Sequence, residues 1–103
     1  MDIKKLAEKY RDFIIELRRE FHMYPESSWE EVRTSSRVKE ELDKLNIPYI
    51  SLAGTGVLAT IKGKNPGKTV ALRADMDALE TTETNDVPYK SKHEGKMHAC
   101  GHD

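Results

Sequence analysis

The chain has one cysteine in 103 residues, so no internal disulfide can form. A lone thiol stays reduced in the cytosol, which is the expected compartment, and it is free there to bind a metal or react. Long apolar runs are missing as well. Stretches such as Val57-Leu58-Ala59 are far too short to span a bilayer. Met1-Asp2-Ile3-Lys4-Lys5 leads into an amphipathic pattern rather than a signal-peptide apolar core. There is no excess of either charge: 17 basic residues face 18 acidic ones, for a net charge of -1. The two signs interleave, so neither nucleic acid nor a membrane surface is indicated as a partner. There is no internal repeat and no low-complexity tract. What the chain does have is polarity, with 34% charged residues and a mean hydropathy of -0.72. Its 37% apolar residues recur periodically, which argues for a fold rather than disorder. The length suggests one domain that buries roughly two thirds of its unfolded surface.

Ile3, Leu6, Tyr10, Phe13, Ile14, Leu17 and Phe21 fall at steps of three and four, giving one apolar stripe on a helix. Asp2 is a fitting N-cap. Pro25 ends the helix at or before Tyr24. A second helix is expected from about Trp29 to Leu45, with Ser28 and Glu31 as a capping box. Its stripe, Val32, Val38, Leu42 and Leu45, is thinner. Asn46 suits its C-terminal end, and Pro48 prevents continuation. The pattern then changes to period two. Tyr49–Leu52 reads as a short strand, and Gly54-Thr55-Gly56 punctuates it. Val57–Lys62 and Thr69–Ala74 read as stronger strands, joined into a hairpin by the turn formers of 63–68. Val70-Ala71-Leu72 suggests a central strand. From Asp75 onward periodicity disappears. Two helices followed by strands and a long polar segment look like the opening of a larger α/β domain.

Chemistry concentrates at the end of the chain, in His98-Ala99-Cys100-Gly101-His102-Asp103. In an extended segment, residues two apart project to the same side, so His98, Cys100 and His102 could face one ion. Thiolate and imidazole suit Zn, Co, Ni or Mn. The competing reading is an exposed tail with incidental histidines. Arg73-Ala74-Asp75-Met76-Asp77 places two carboxylates after an apolar strand, where α/β sheets hold active sites; a solvated acidic turn is the plainer alternative. His22, at a helix C-terminus, reads as structural, Trp29 as a packing anchor, and Glu26 as a cap or brace of its turn.

Five segments in order resemble the M20 family of metal-dependent amidohydrolases and peptidases, in particular its aminoacylase-like and hippurate-hydrolase-like members. They are Arg18-Arg19-Glu20-Phe21-His22-Met23-Tyr24-Pro25-Glu26, Gly54-Thr55-Gly56-Val57, Leu72-Arg73-Ala74-Asp75-Met76-Asp77-Ala78-Leu79, Asn85-Asp86-Val87-Pro88-Tyr89 and Met97-His98-Ala99-Cys100-Gly101-His102-Asp103. The resemblance implies the N-terminal part of a three-layer αβα, zinc-exopeptidase-like catalytic domain. On this reading residues 1–103 are a fragment from which the dimerisation or lid domain is absent. It implies two divalent metal ions per complete site (Zn, Mn, Co or Ni), with Cys100 and His102 as direct ligands and Cys100 as a candidate bridge. It gives Asp77 a catalytic role, orienting a metal ligand, and makes Asp75, His98 and Asp103 candidate supports. It further implies hydrolysis of the amide bond of an N-acyl amino acid or peptide-like small molecule, a glutamate base located beyond the equivalent of Asp103, and a candidate homo-oligomer. Glu80 departs from the family pattern, which usually has proline there. Two other readings stand beside this one. One is a non-catalytic truncated or split-gene module that binds metal weakly or associates with a partner chain; it expects exposed apolar surface on Val57–Lys62 and Thr69–Ala74. The other is a small structural metal module, weakened by the isolation of His22 and His93.

Overall fold

A computed structural model describes residues 1–103. The elements are α1 (Ile3–Met23), α2 (Val32–Lys44), β1 (Tyr49–Leu52) and β2 (Gly56–Ala59). The chain divides into two compact units. One joins Met1–Pro25 to Ala78–Asp103, and the other is Glu26–Asp77. No helix is long and apolar enough to cross a membrane.

In the first unit, α1 has the expected bounds. The Asp2 carboxylate accepts the Lys5 N–H at 3.2 Å, and the helix stops one residue before Tyr24-Pro25. Its apolar stripe is largely exposed at Ile3, Leu6, Tyr10, Phe13 and Ile14. Pro25 and Ala78 are buried, but the middle of this unit is polar. His22 and Glu83 are 5% and 4% exposed, and His22 Nε2 lies 2.9 Å from both Glu83 carboxylate oxygens. Glu83 also accepts the Ser91 N–H at 2.7 Å and the Asn85 amide at 3.1 Å. Burial pushes the Glu83 carboxyl up, but the bonds from Ser91, His22 and Asn85 outweigh it and hold the group below its ordinary value. The Tyr89 ring stands edge-on to His22, with the Arg19 guanidinium 4.6 Å from its centroid. The backbone ties the same pieces together. Lys92 N–H donates to Met23 O at 2.9 Å, His93 Nδ1 donates to Pro25 O at 2.8 Å, and Leu79 pairs with Met97 in an antiparallel bridge. His22 is thus held by Glu83 in the buried middle of this unit, which agrees with the structural reading of that residue.

In the second unit, α2 begins at Val32, three residues after Trp29, and the Ser28–Glu31 capping box does not form. Glu26 caps the helix instead. It accepts the Arg33 N–H at 3.1 Å, the Thr34 N–H at 2.6 Å and the Thr34 hydroxyl at 2.7 Å. Glu31 is turned away, accepting the Trp29 N–H at 2.9 Å and the Thr55 hydroxyl. Trp29 is 77% exposed at φ 69, so it is not the packing anchor its type suggested. The C-terminal end follows expectation. Asn46 sits at φ 55, Ile47 N–H donates to Leu42 O at 2.9 Å, and Asn46 N–H donates to Asp43 O at 3.0 Å. These two bonds satisfy carbonyls that the helix leaves open, as in a Schellman motif. Glu41 is braced by Arg37 at 2.6 Å and Lys44 at 3.0 Å.

The hairpin forms one link earlier than expected. β1 pairs antiparallel with β2, from Tyr49 opposite Ala59 to Leu52 opposite Gly56. Ala53 at φ 49 and Gly54 at φ 80 make the reversal. A Cβ at position 56 would lie 2.7 Å from Leu52 O, so the chain closes this tightly only around glycine. Residues 69–74 form no strand, and Val70 and Leu72 are 88% and 100% exposed. A three-residue loop needs less closure entropy than the six-residue one at 63–68. A continuously apolar strand also needs ladder partners and covered faces, and none of the 103 residues supplies them to this run.

Glu26 makes the stability of this unit acid-sensitive. Burial raises its carboxyl, but the bonds from Thr34 and Arg33 and the Arg33 charge outweigh that and lower it. A carboxylate lowered in the folded state contributes stability that is fully present above its unfolded value, about 4.3. That stability is lost as pH falls through the folded value. A urea midpoint measured against pH should therefore drop on the acid side of about pH 4.3, and Glu26→Gln should flatten the decline. An unchanged acid slope in that variant would refute the cap's role.

Candidate metal centre

The terminal segment is a turn rather than an extended strand. Asp103 N–H donates to Cys100 O at 3.2 Å, and the Asp103 carboxylate accepts the Cys100 N–H at 3.0 Å. That reciprocal pair bends the backbone around Gly101, so the same-side projection expected of alternate residues does not hold. Cys100 Sγ and His102 Nδ1 come to 3.4 Å of each other, both on exposed residues. His98 Nδ1 lies 3.9 Å from Asp103 Oδ1, with a side chain only 10% exposed. No three His, Cys, Asp or Glu side chains converge on one point. The expectation of three ligands facing one ion is thus corrected to two donors, with His98 and Asp103 beside them.

Those two donors fit a shared ion. At Zn–S and Zn–N lengths of about 2.3 and 2.05 Å, two ligands of a tetrahedral ion lie ~3.6 Å apart. The observed separation is close to that without any movement of the turn. A thiolate and an imidazole are also the donor set that late first-row divalent ions favour. Asp103 keeps the backbone of the turn closed without using either donor atom.

The two acidic residues after the apolar run lie in the Glu26–Asp77 unit. Asp75 pairs with Arg73 at 2.8 Å, and both are exposed. Asp77 is half-buried, and its Oδ2 accepts the Ser28 hydroxyl at 2.8 Å. The sequence pointed to Asp77 but not to this partner 49 residues away. The serine that looked like a helix cap supports a carboxylate instead. Glu83 was missed as well. Its only legible signal was a carboxylate in a loop otherwise read as featureless, because the histidine it binds is 61 positions away.

The model of peptidase family M20/M25/M40 matches residues 71–103. Thermostable carboxypeptidase 2 of Saccharolobus solfataricus is 52% identical over 98% of this chain, which covers 26% of that protein. N-acetyldiaminopimelate deacetylase of Listeria innocua is 43% identical over 86% of the chain, which covers 24% of it. Among solved structures, the Bacillus subtilis YXEP protein, described as a dinuclear metal-binding peptidase from the M20 family, superposes with a TM-score of 0.86 at 39% identity. That match covers 92% of this chain and 27% of the other. The two helices and the antiparallel strand pair are the α/β start of that domain type. The chain spans about a quarter of the length of the curated relatives it matches.

Proposed function

Because this chain belongs to peptidase family M20, we propose that its protein hydrolyses amide bonds of N-acyl amino acids or small peptide-like substrates with the help of two divalent metal ions. Cys100 and His102 would be the metal ligands that this region contributes. Asp77 orients a metal ligand. Asp75, His98 and Asp103 support the neighbouring loops. When bound, such ions polarise a scissile carbonyl and lower the pKa of the attacking water. The residues here hold and position. Cys100 Sγ and His102 Nδ1 lie 3.4 Å apart, Asp103 closes the turn through the Cys100 N–H, and Asp77 presents a braced carboxylate. A glutamate base is expected outside these residues. Free thiol chemistry and the single cysteine suit the cytoplasm.

The 3.4 Å approach of Cys100 Sγ to His102 Nδ1 is the observation that carries this reading. Its test is turnover of N-acetyl amino acids by the full-length protein. Activity should vanish on removal of metal by a chelator and return with Mn²⁺, Co²⁺, Zn²⁺ or Ni²⁺. Turnover that survives chelation would overturn the metal-dependent reading. A second reading, in which this region serves as a non-catalytic module that associates with further polypeptide, is favoured by the exposure of Ile61, Val70 and Leu72. Chelator-sensitive turnover decides against it.

A further inference from the structure

We infer that Ser28 is a positioning residue for Asp77, holding that carboxylate in the orientation metal binding needs. The inference rests on the proposed role of Asp77. Ser28 Oγ donates to Asp77 Oδ2 at 2.8 Å, leaving Oδ1 as the oxygen available to a ligand. A carboxylate bonded through one oxygen is restricted in its swing about its own side-chain torsions. An outer-shell carboxylate restrained in this way fixes the metal ligand that it orients.

Ser28 is itself held in place, although it is exposed. Glu30 N–H donates to Ser27 O at 3.0 Å, and Val32 N–H to Glu30 O at 2.8 Å, so the backbone around it is a tight turn. The next residue, Trp29, is kept at φ 69, a left-handed conformation that a bulky side chain rarely adopts. The Glu31 carboxylate clamps it there through the Trp29 N–H, and is tied in turn to the Thr55 hydroxyl. Strain of this kind persists only where the surroundings over-determine it, and it clusters at functional positions. A helix-capping role does not account for Ser28. α2 begins at Val32, and the N–H groups of Arg33 and Thr34 are taken by Glu26.

The test uses metal-free full-length protein titrated calorimetrically with Mn²⁺ and with Zn²⁺. Ser28→Ala should weaken binding about 10-fold and leave the melting temperature of the metal-free protein unchanged. Ser28→Thr, which keeps the hydroxyl, should restore the affinity. Asp77→Asn should weaken binding at least as much, and Ser28→Ala should add nothing in that background, because the two side chains act as one unit. Wild-type affinity in Ser28→Ala, alongside a weakened Asp77→Asn, would overturn the role of Ser28 alone. Wild-type affinity in Asp77→Asn would overturn the role of Asp77 and this inference with it. A loss that tracks a lowered melting temperature and is not rescued by threonine would show that Ser28 is merely structural.

Discussion

Cys100→Ser in the full-length protein should abolish the proposed metal-dependent amide hydrolysis while leaving the fold intact. The serine hydroxyl is a hard, weakly acidic donor, and it does not replace a thiolate for borderline ions such as Zn²⁺ or Co²⁺. The turn should survive, because the bonds that close it use the Cys100 backbone and the Asp103 carboxylate, not the thiol. His102→Ala removes the other donor of the 3.4 Å pair and should have a similar effect. Losing a residue proposed as a direct ligand should cost more than the ~10–100-fold seen on losing an outer-shell partner. The measurement is kcat together with metal content per chain, beside a melting temperature. Undiminished turnover at full metal occupancy in Cys100→Ser would remove it from the ligand set. Equal loss of activity and of melting temperature would show that the residue acts through folding.

Removing one partner of the His22–Glu83 pair should be the most destabilising single change in the α1-bearing unit. Glu83→Ala deprives His22 Nε2, the Ser91 N–H and the Asn85 amide of a common acceptor in a place water does not reach. His22→Ala leaves a buried carboxylate without one of its partners. Leaving a buried polar group without its partner costs about 1–3 kcal/mol, and more where the group is charged, read from urea unfolding. The double variant should cost less than the two single losses added together, since neither side is then left as an orphan. The Ser91 amide should exchange faster with solvent in either single variant. A loss under about 1 kcal/mol, the size of an ordinary surface hydrogen bond, would show that the pair contributes little. The pair also explains why this unit coheres with so little buried apolar surface. Pro25 and Ala78 are its deeply buried apolar residues, and a polar network anchors α1 to the segment that leads to Cys100 and His102.

Local patterns were legible wherever the physics was local. The helix over Ile3–Met23, its Asp2 cap, its stop before Pro25, the Asn46 terminus of the second helix and the strand at Tyr49–Leu52 each depend on residues within a few positions of one another. Errors appeared where two local rules competed. Ser28 and Glu31 have the spacing of a capping box, yet Glu26, farther from the helix, reaches its first N–H groups. The His-x-Cys-x-His spacing presupposed an extended chain, and a backbone-to-carboxylate bond across Gly101 curled it. The run Val70-Ala71-Leu72 had the composition of a buried strand but no ladder to join within these residues.

The sequence by itself determined the helices, the donor types at Cys100 and His102, and the family, because periodicity, ligand chemistry and ordered motifs are all written along the chain. Only the tertiary structure decided which donors meet, that Glu83 receives His22, that Glu26 caps α2 and that Ser28 braces Asp77. Each of these is a hydrogen bond or close approach whose partners are brought together by folding. A short polar contact between distant positions leaves no periodic trace in the chain that makes it.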